Sequence, residues 1–481
     1  IDEQKKRLRD PEVRRALEGL CAARAAEQAT GKDRSELRRI IRDMKSAAKA
    51  GEPLRYSELN GELHAAIRRI ADHETSSRIL EQLRGQVPDE VLTTAPALLA
   101  GHQVDLTGRF AGTAVALARP RDRDQVAAIV AACAAHGLPL VPQGGNTGMV
   151  GGGVPRDGEL VLSLARLDAL GEVDLAAGQI VAGAGVSLER VQEAARRAGF
   201  EFPLDFAARA SATVGGAIAT DAGGSLALAH GTMRRRVVGL EAVLADGSVV
   251  ERMGGLLKDN AGYDLPALLI GSEGTLGVVT AARLALEPAK PVRVAALFGV
   301  ASLAAGLELL AAIRRVPGLE AADFLDSACM RLVGEQRQVA NPLGEEHPLY
   351  VLAQWAGDRD PLDQVAAAVA ALSPEPPVAV ADGAAERERL WACRELINES
   401  IRERGIPHKL DVAVPLAALP ELDRRVRELI GAVDGASLYL YGHLGDGNVH
   451  VNVLGPDLED ESVDEGVLHL VAERGGTISA E

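Results

Sequence analysis

The chain has 481 residues, 47% of them hydrophobic, and carries 52 basic against 68 acidic side chains for a net charge of −16. That length points to roughly three domains with sizeable cores, and the acidic balance argues against a nucleic-acid surface over the chain as a whole. Cys21, Cys133, Cys329 and Cys393 stand far apart with no Cys-x-x-Cys pair, so neither a disulfide framework nor a thiolate zinc site is indicated and a reducing cytoplasm fits.

The long apolar run from Ala295 to Ile313 contains Glu308 and divides into a strand and a helix, so no transmembrane segment is expected. The sequence begins at Ile1 without a Met. A fragment is expected at both ends, which leaves targeting, and attachment to a membrane periphery, open.

From residue 1 to about 87, apolar positions recur at three and four: Val13, Leu17 and Leu20, then Leu37, Ile40, Ile41 and Met44, then Leu59, Leu63, Ile67 and Ile70. This pattern predicts successive amphipathic helices, broken at Gly31 and at Gly51-Glu-Pro53. Arg14-Arg-Ala-Leu-Glu-Gly-Leu20 and Leu59-Asn-Gly-Glu-Leu-His-Ala-Ala-Ile67 resemble part of the all-helical effector-binding domain of GntR-type regulators. In that family a His at the position of His64 is often a metal ligand. The DNA-reading winged helix and the later ligand-bearing helices have no counterpart here, so His64 reads as a partly exposed helical residue. The segment reads as an incomplete regulator domain joined to an enzyme, by a genuine fusion or by a gene-model error.

Between about 88 and 290 the pattern turns to α/β, with a strand Val115–Ala118, a helix Asp122–His136 and a strand Leu138–Pro142. This leads into Gln143-Gly-Gly-Asn-Thr-Gly148 and Gly151-Gly-Gly153. Glycines let several backbone amides approach a diphosphate in one concavity. A Gly-x-Gly-x-x-Gly opening a helix is missing, which disfavours a nicotinamide site. Three further segments follow: Pro203-Leu-Asp205 with Ser211 to Gly224, Lys258 to Leu265, and Gly271 to Thr280. Each alone also reads as a glycine-rich surface loop. In this order and spacing, however, the set resembles the FAD-binding domain of the vanillyl-alcohol-oxidase superfamily.

That resemblance implies FAD contacts from Gly144, Gly145, Asn146, Thr147, Gly148, Pro203, Asp205, Ser211, Gly215, Gly216, Asp221, Gly223, Gly271, Glu273, Gly274, Gly277 and Val278. Asp221 stands where relatives usually carry Asn, and is expected to set a negative charge near the cofactor that weakens its binding or lowers its potential. The Gly144–Gly148 loop has no His to tether a flavin, so non-covalent FAD is expected.

Residues 291 to 481 alternate as strand Val292–Phe298, helix Ser302–Arg315, strand Glu320–Asp326, strand Tyr350–Trp355, helix Pro361–Leu372 and strand Val378–Ala381, a split β-α-β-β-α-β, ferredoxin-like layer that can cap a flavin. The whole is then an α+β protein: a two-part FAD-binding domain, a cap domain and an N-terminal helical segment. Leu390-Trp-Ala-Cys-Arg394 lies on an amphipathic helix, and His408-Lys-Leu-Asp411 opens a strand. Near the end, Tyr439 to Val453 alternates about Asp446-Gly447, the signature of a hairpin with a type I′ turn. A two-residue turn there sets His443 opposite His450 and Tyr441 opposite Asn452. Directly opposed Cβ atoms are roughly 4.5–5.5 Å apart, so the two imidazoles can converge on a divalent metal such as zinc. A surface hairpin bearing two unrelated histidines is the alternative.

Gly442-His-Leu-Gly-Asp-Gly-Asn-Val-His450, with Ser479-Ala-Glu481, resembles the metal-site signature of FAD-linked 2-hydroxyacid dehydrogenases, nearest to the D-2-hydroxyglutarate enzymes, with D-lactate dehydrogenases and glycolate oxidase subunits as cousins. The resemblance implies a metal on His443, His450 and Glu481, substrate carboxylate on Arg394 and Lys409, and Asn452 beside the substrate. Asn398 stands where close relatives carry Thr, which puts recognition of a distal carboxylate in doubt. The family's general-base His would be the residue after Glu481. The expected reaction is oxidation of a D-2-hydroxy acid to the 2-oxo acid with hydride passing to flavin N5. Reoxidation would fall to an electron-transfer flavoprotein, a quinone or a cytochrome, and a homodimer is left open. A flavin-binding but catalytically incomplete chain and a regulatory binding protein are the competing readings.

Overall fold

A computed structural model of the chain describes residues 29–50, isolated positions between 55 and 88, and residues 90–479 apart from 459. Helix α1 (Gly31–Ala50) starts at the predicted glycine break. Its Ile40, Met44 and Ala47 are buried with Leu59 and Ala66 in a small core of their own. The earlier apolar set from Val13 to Leu20, and His64, lie outside the described residues.

The flavin-side region opens with β1 (Leu92–Thr93), β2 (Thr113–Ala118), α2 (Arg123–His136), β3 (Leu140–Gln143) and β4 (Asp157–Ser163). The sheet order is β1-β2-β4-β3, with β2 and β3 parallel to β4. Asp122 caps α2 by accepting from the Gln125 amide, and Gly137 ends it at a φ of 67°, the left-handed stop that glycine takes without a Cβ clash. Next come β5 (Gln179–Gly183), α3 (Leu188–Arg197), β6 (Phe200–Glu201), α4 (Val214–Thr220), β7 (Val237–Leu244), β8 (Val249–Arg252), β9 (Gly277–Ala285) and β10 (Glu287–Pro288). Here β5-β9-β7-β8 forms an antiparallel sheet. Ile129, Leu160, Val191, Ile218, Leu240 and Leu284, drawn from both sheets and the helices between them, share one core. Burying each contributes about 1.5–3 kcal/mol, which ties the two halves into one body.

The cap runs β11 (Val292–Val300), α5 (Leu303–Ile313), β12 (Leu319–Asp326), α6 (Ser327–Arg337), β13 (Leu349–Gly357), α7 (Leu362–Ala370) and β14 (Val378–Ala381). After α8 (Ala384–Glu395) and α9 (Ile397–Arg404) come β15 (His408–Ala413), α10 (Leu419–Gly431), β16 (Ser437–His443), β17 (Asn448–Leu454), α11 (Ser462–Glu473) and β18 (Thr477–Ile478). All of these strands form one antiparallel sheet, ordered β14-β11-β13-β12-β16-β17-β15-β18. The expected split β-α-β-β-α-β layer is its first half, with an unexpected helix, α6, added between β12 and β13. The second half, β15-α10-β16-β17-α11-β18, repeats the same plan in mirror order, and the two units join along β12 and β16. Sequence reading found only one unit, because polar residues interrupt the apolar alternation in β15 and the hairpin.

The two regions interlock near that seam. Leu228, from a short helical turn on the flavin side, packs into the cap core. A Cβ on Gly445 would stand 2.7 Å from Leu228 Cδ2, so the hairpin tip approaches as closely as it does because residue 445 is glycine.

Candidate active site

On β12, β16, β17 and β15 alternate residues, among them Phe324, Leu440, Val451 and Leu410, face the helix-covered core. The intervening residues therefore fall on the opposite face, and there they are mostly polar. One row across the strands is Asp323, His443 and Asn448; the next is Leu325, Tyr441, His450 and Asp411; the third is Tyr439, Asn452 and Lys409.

The hairpin differs from its predicted register. Its connection is the four-residue loop Leu444-Gly445-Asp446-Gly447, in which Gly447 (φ 84°) takes positive φ and Asp446 does not, so the turn is not type I′. The Gly447 amide bonds to the His443 carbonyl at 3.1 Å, and the Asn448 amide to Asp446 Oδ1 at 3.0 Å. His443 thus faces Asn448, His450 faces Tyr441, and Asn452 faces Tyr439. A shift of two positions keeps every side chain on its face. The imidazoles become diagonal neighbours, with ring centroids 5.4 Å apart and planes at 83°.

A buried carboxylate holds each ring at Nδ1: Asp323 Oδ1 lies 2.9 Å from His443, and Asp411 Oδ2 lies 3.1 Å from His450. Asp411 also accepts from Asn448 Nδ2 at 2.6 Å. Neither Nε2 has a protein partner among the described residues. Burial would raise both aspartates, but the facing imidazoles and nearby cations outweigh it and hold them below the usual carboxylate range. Burial would likewise lower His443, yet the Asp323 charge outweighs that and raises it. At His450 burial wins over Asp411 and pushes the ring down to about 4, so it is neutral near pH 7.

Arg394, on α8, has Nε 3.0 Å from Asp323 Oδ2, and its guanidinium lies over the Tyr441 ring at 4.5 Å. Lys409 Nζ is 3.0 Å from Asn398 Oδ1 and 2.9 Å from Met149 Sδ. Burial, reinforced by Arg394 and opposed by Asp411, lowers Lys409 to about 8. The Tyr441 hydroxyl also donates to Asn398 Oδ1. An ammonium has no acceptor, so the Asn398 oxygen is fixed toward it and the amide nitrogen is left as a donor. Asn452 Nδ2 is buried without a hydrogen-bond partner. Arg394, Lys409, Asn398 and Asn452 therefore assemble unspent donors, the chemistry that binds a carboxylate.

These groups open into a cavity of about 1140 Å³ between cap and flavin side. Its opposite wall carries Gly144, Gly145, Asn146, Thr147 and Gly148, with Pro203, Asp205, Gly215, Gly216, Glu273, Gly274, Gly277 and Val278. A Cβ on Gly145 would collide with the Ser211 carbonyl, so this glycine lets the loop lie flat against the next segment. Among the described residues, the histidines on the wall are His443 and His450, both from the cap.

Three comparisons bear on this geometry. Residues 114–252 match the family described as FAD binding domain, and residues 289–481 match the FAD linked oxidases, C-terminal domain. D-2-hydroxyglutarate dehydrogenase of Danio rerio, described as mitochondrial, is 35% identical over 428 residues, covering 87% of this chain and 80% of that protein. The D-2-hydroxyglutarate dehydrogenase of Xanthomonas citri pv. viticola is 37% identical over 396 residues, 81% of this chain and 83% of that protein. The chain belongs to the FAD-linked oxidase family that includes these dehydrogenases. Solved structures agree on the fold: an alkyldihydroxyacetonephosphate synthase (TM-score 0.66, 15% identity, covering 84% of this chain and 80% of that one) and the 4-ethylphenol oxidase of Gulosibacter chungangensis (TM-score 0.66, 19% identity, 85% and 89%). Residues 12–136 match the FCD domain. That match overlaps the FAD binding domain over 114–136, where the chain forms most of β2 and all of α2 of the flavin-side sheet.

In this flavoprotein four of the residues expected to contact FAD, Ser211, Asp221, Gly223 and Gly271, do not line the cavity. Asp221 departs furthest from expectation. It ends α4 in the left-handed region and turns to Arg234, accepting from its amide at 2.9 Å and its Nε at 3.0 Å. Arg234 in turn donates to the carbonyls of Ala267 and Ile270. The Asp221 charge is thus paired with Arg234, and Gly271 lies beside the same ion pair.

Among the described residues no group of three or more His, Cys, Asp or Glu side chains converges as a metal site, and Glu481 lies outside them. The donor set still fits a metal: two imidazoles, each fixed by a carboxylate at Nδ1, present unpartnered Nε2 atoms, which is the usual outer support of metal-binding histidines. Sequence reading gave no role to Asp323, Asp411 or Tyr441. Their signal was a charge or hydroxyl recurring at alternate positions of otherwise apolar strands.

Proposed function

We propose that this protein oxidises a D-2-hydroxy acid of the D-2-hydroxyglutarate, D-lactate or glycolate class to the 2-oxo acid, with FAD as the hydride acceptor. The observation carrying this reading is that Arg394, Lys409, His443 and His450 share one cavity with the glycine-lined wall of the FAD binding domain. Names of the relatives support the substrate class.

Residues 144–148, Pro203, Asp205, Gly215, Gly216, Glu273, Gly274, Gly277 and Val278 would hold FAD non-covalently, and it would supply an acceptor at N5 for the α-hydrogen. Arg394 and Lys409 bind the carboxylate, the first as a planar fork held by Asp323 and Tyr441, the second as a point charge. Asn398 and Asn452 add amide donors. The hydroxyl then falls toward His443 and His450, whose Nε2 atoms, with Glu481, would hold a divalent cation such as zinc. Such a cation would supply Lewis acidity toward that hydroxyl. Reoxidation is assigned to an electron-transfer flavoprotein, a quinone or a cytochrome. No helix among the described residues is long and apolar enough to cross a membrane.

Steady-state reduction of an artificial acceptor dye by paired D- and L-2-hydroxy acids tests the reading. Turnover with at least one D acid and none with its L partner is expected; equal rates with both would overturn the assignment.

A further inference from the structure

Asp323 is fully buried, 0% exposed, in the middle of β12. Its neighbours Ala322 and Phe324 face the helix-covered core, so strand alternation turns Asp323 to the site face, where it stands directly opposite His443 across the seam between the two halves of the cap. The two oxygens are divided between two tasks. Oδ1 accepts from His443 Nδ1 at 2.9 Å, and Oδ2 pairs by charge with Arg394 Nε at 3.0 Å, without hydrogen-bond alignment. Asp411, the comparable carboxylate under His450, holds no arginine; its second oxygen takes the Asn448 amide instead.

We infer that Asp323 is the positioning residue that sets the distance between the carboxylate-binding and hydroxyl-binding halves of the substrate site. One buried carboxylate holds His443 by its Nδ1–H, which turns Nε2 away from it, and at the same time pairs by charge with the Arg394 guanidinium that lies over Tyr441. A substrate whose carboxylate is gripped by Arg394 then has its hydroxyl delivered beside His443, and an enantiomer with hydroxyl and hydrogen exchanged does not. The structural reason for placing the carboxylate here is that β12 and β16 meet at the seam while α8 crosses the same face. No other acidic side chain among the described residues pairs with both groups. The inference rests on the dehydrogenase reading given above.

Two variants of the full chain test it. In Asp323→Asn, the amide oxygen can still accept from His443, but the charge that pairs with Arg394 is gone. In Asp323→Glu the charge remains and moves outward by one methylene. Both are expected to retain FAD, shown by the visible flavin spectrum, and to lose at least tenfold in kcat/KM, through a raised KM and a lowered kcat together. Spectral titration of the oxidised flavin with the 2-oxo acid product gives a readout without turnover, and its affinity should fall in both variants. The effect of Asp323→Asn should also vanish in an Arg394→Gln, His443→Gln background, since residues acting as one unit are non-additive. Should Asp323→Asn fail to fold, Asp323→Glu carries the test.

Product affinity and kcat/KM within twofold of the parent in a folded variant, or a loss in Asp323→Asn that simply adds to that of the Arg394→Gln, His443→Gln pair, would overturn the inference. A parent protein that turns over no 2-hydroxy acid would instead count against the reaction assigned above, and the product titration would still decide the role of Asp323.

Discussion

The ammonium of Lys409 lies 2.9 Å from the sulfur of Met149, so strand β15 of the cap touches the residue that follows the flavin-side glycine loop. Among the described residues no carboxylate hydrogen-bonds that ammonium; its contacts there are a thioether and the Asn398 oxygen. Burial accordingly lowers it to about 8.

This gives a pH dependence with a defined sign. Lys409 is protonated below about 8 and loses its charge as pH rises through that value, so kcat/KM for a 2-hydroxy acid should fall on the alkaline side with an apparent pKa near 8. Folding stability should move the other way. The unfolded lysine holds its proton up to its ordinary value of 10.5, so between about 8 and 10.5 the folded state binds fewer protons and this group adds stability as pH rises. Lys409→Arg, which cannot deprotonate, should remove the alkaline limb of the rate profile. An unchanged limb would assign it elsewhere.

Gly447 holds the hairpin at a φ of 84°, and a Cβ there would collide with the Val414 carbonyl. Gly447→Ala should cost about 1–3 kcal/mol from the backbone alone, more from the clash, and should displace His443 relative to His450. Chemical denaturation measures the first effect. A loss of bound divalent metal with FAD retained measures the second, if the two imidazoles act as ligands.

Asp221 and Arg234 should behave as a structural clasp. Because the carboxylate is already paired and does not line the cavity, Asp221→Asn should leave the flavin potential unchanged and cost about 1 kcal/mol or less, the range of a partly exposed ion pair. Arg234→Gln should be worse, since it also removes donors to the Ala267 and Ile270 carbonyls. Potentiometry of the bound flavin together with thermal melts would show this order; a shifted potential in Asp221→Asn would place its charge at the cofactor after all.

Every described residue on the cavity wall lies at or beyond Leu106. Deleting residues 1–87 should therefore leave FAD content and turnover intact. A tenfold loss of kcat/KM, about 1.4 kcal/mol of transition-state stabilisation, would show that the N-terminal helices support the enzyme.

Much of this was legible in the sequence. Strand Val378–Ala381 and the helix ending at His136 carry the period of their element in simple apolar patterns, and they appear where predicted. The glycine segments were readable as a set from their order and spacing, and of these segments Lys258 to Leu265 contributes no residue to the cavity wall. The second cap unit was not, since Lys409, Asp411, His443 and His450 break the apolar alternation that marks a buried strand. Register was lost for a related reason: Asp446-Gly447 satisfies a two-residue turn locally, but the Gly445 amide bonds to the Ala322 carbonyl on β12, and this tertiary contact favours the longer loop. Nor could spacing reveal Asp323, which lies 120 residues from His443 in the chain and meets it through sheet pairing alone.

The most direct measurement is an anaerobic half-reaction. The oxidised FAD-bound protein is mixed with a D-2-hydroxy acid, with no acceptor present, while the visible flavin band and the acid are followed together. Bleaching of the flavin with one equivalent of 2-oxo acid formed per FAD, absent with the L acid, is the predicted result. A flavin that stays oxidised with D-2-hydroxyglutarate, D-lactate and glycolate alike, or a reaction that proceeds only when NAD is added, would contradict it.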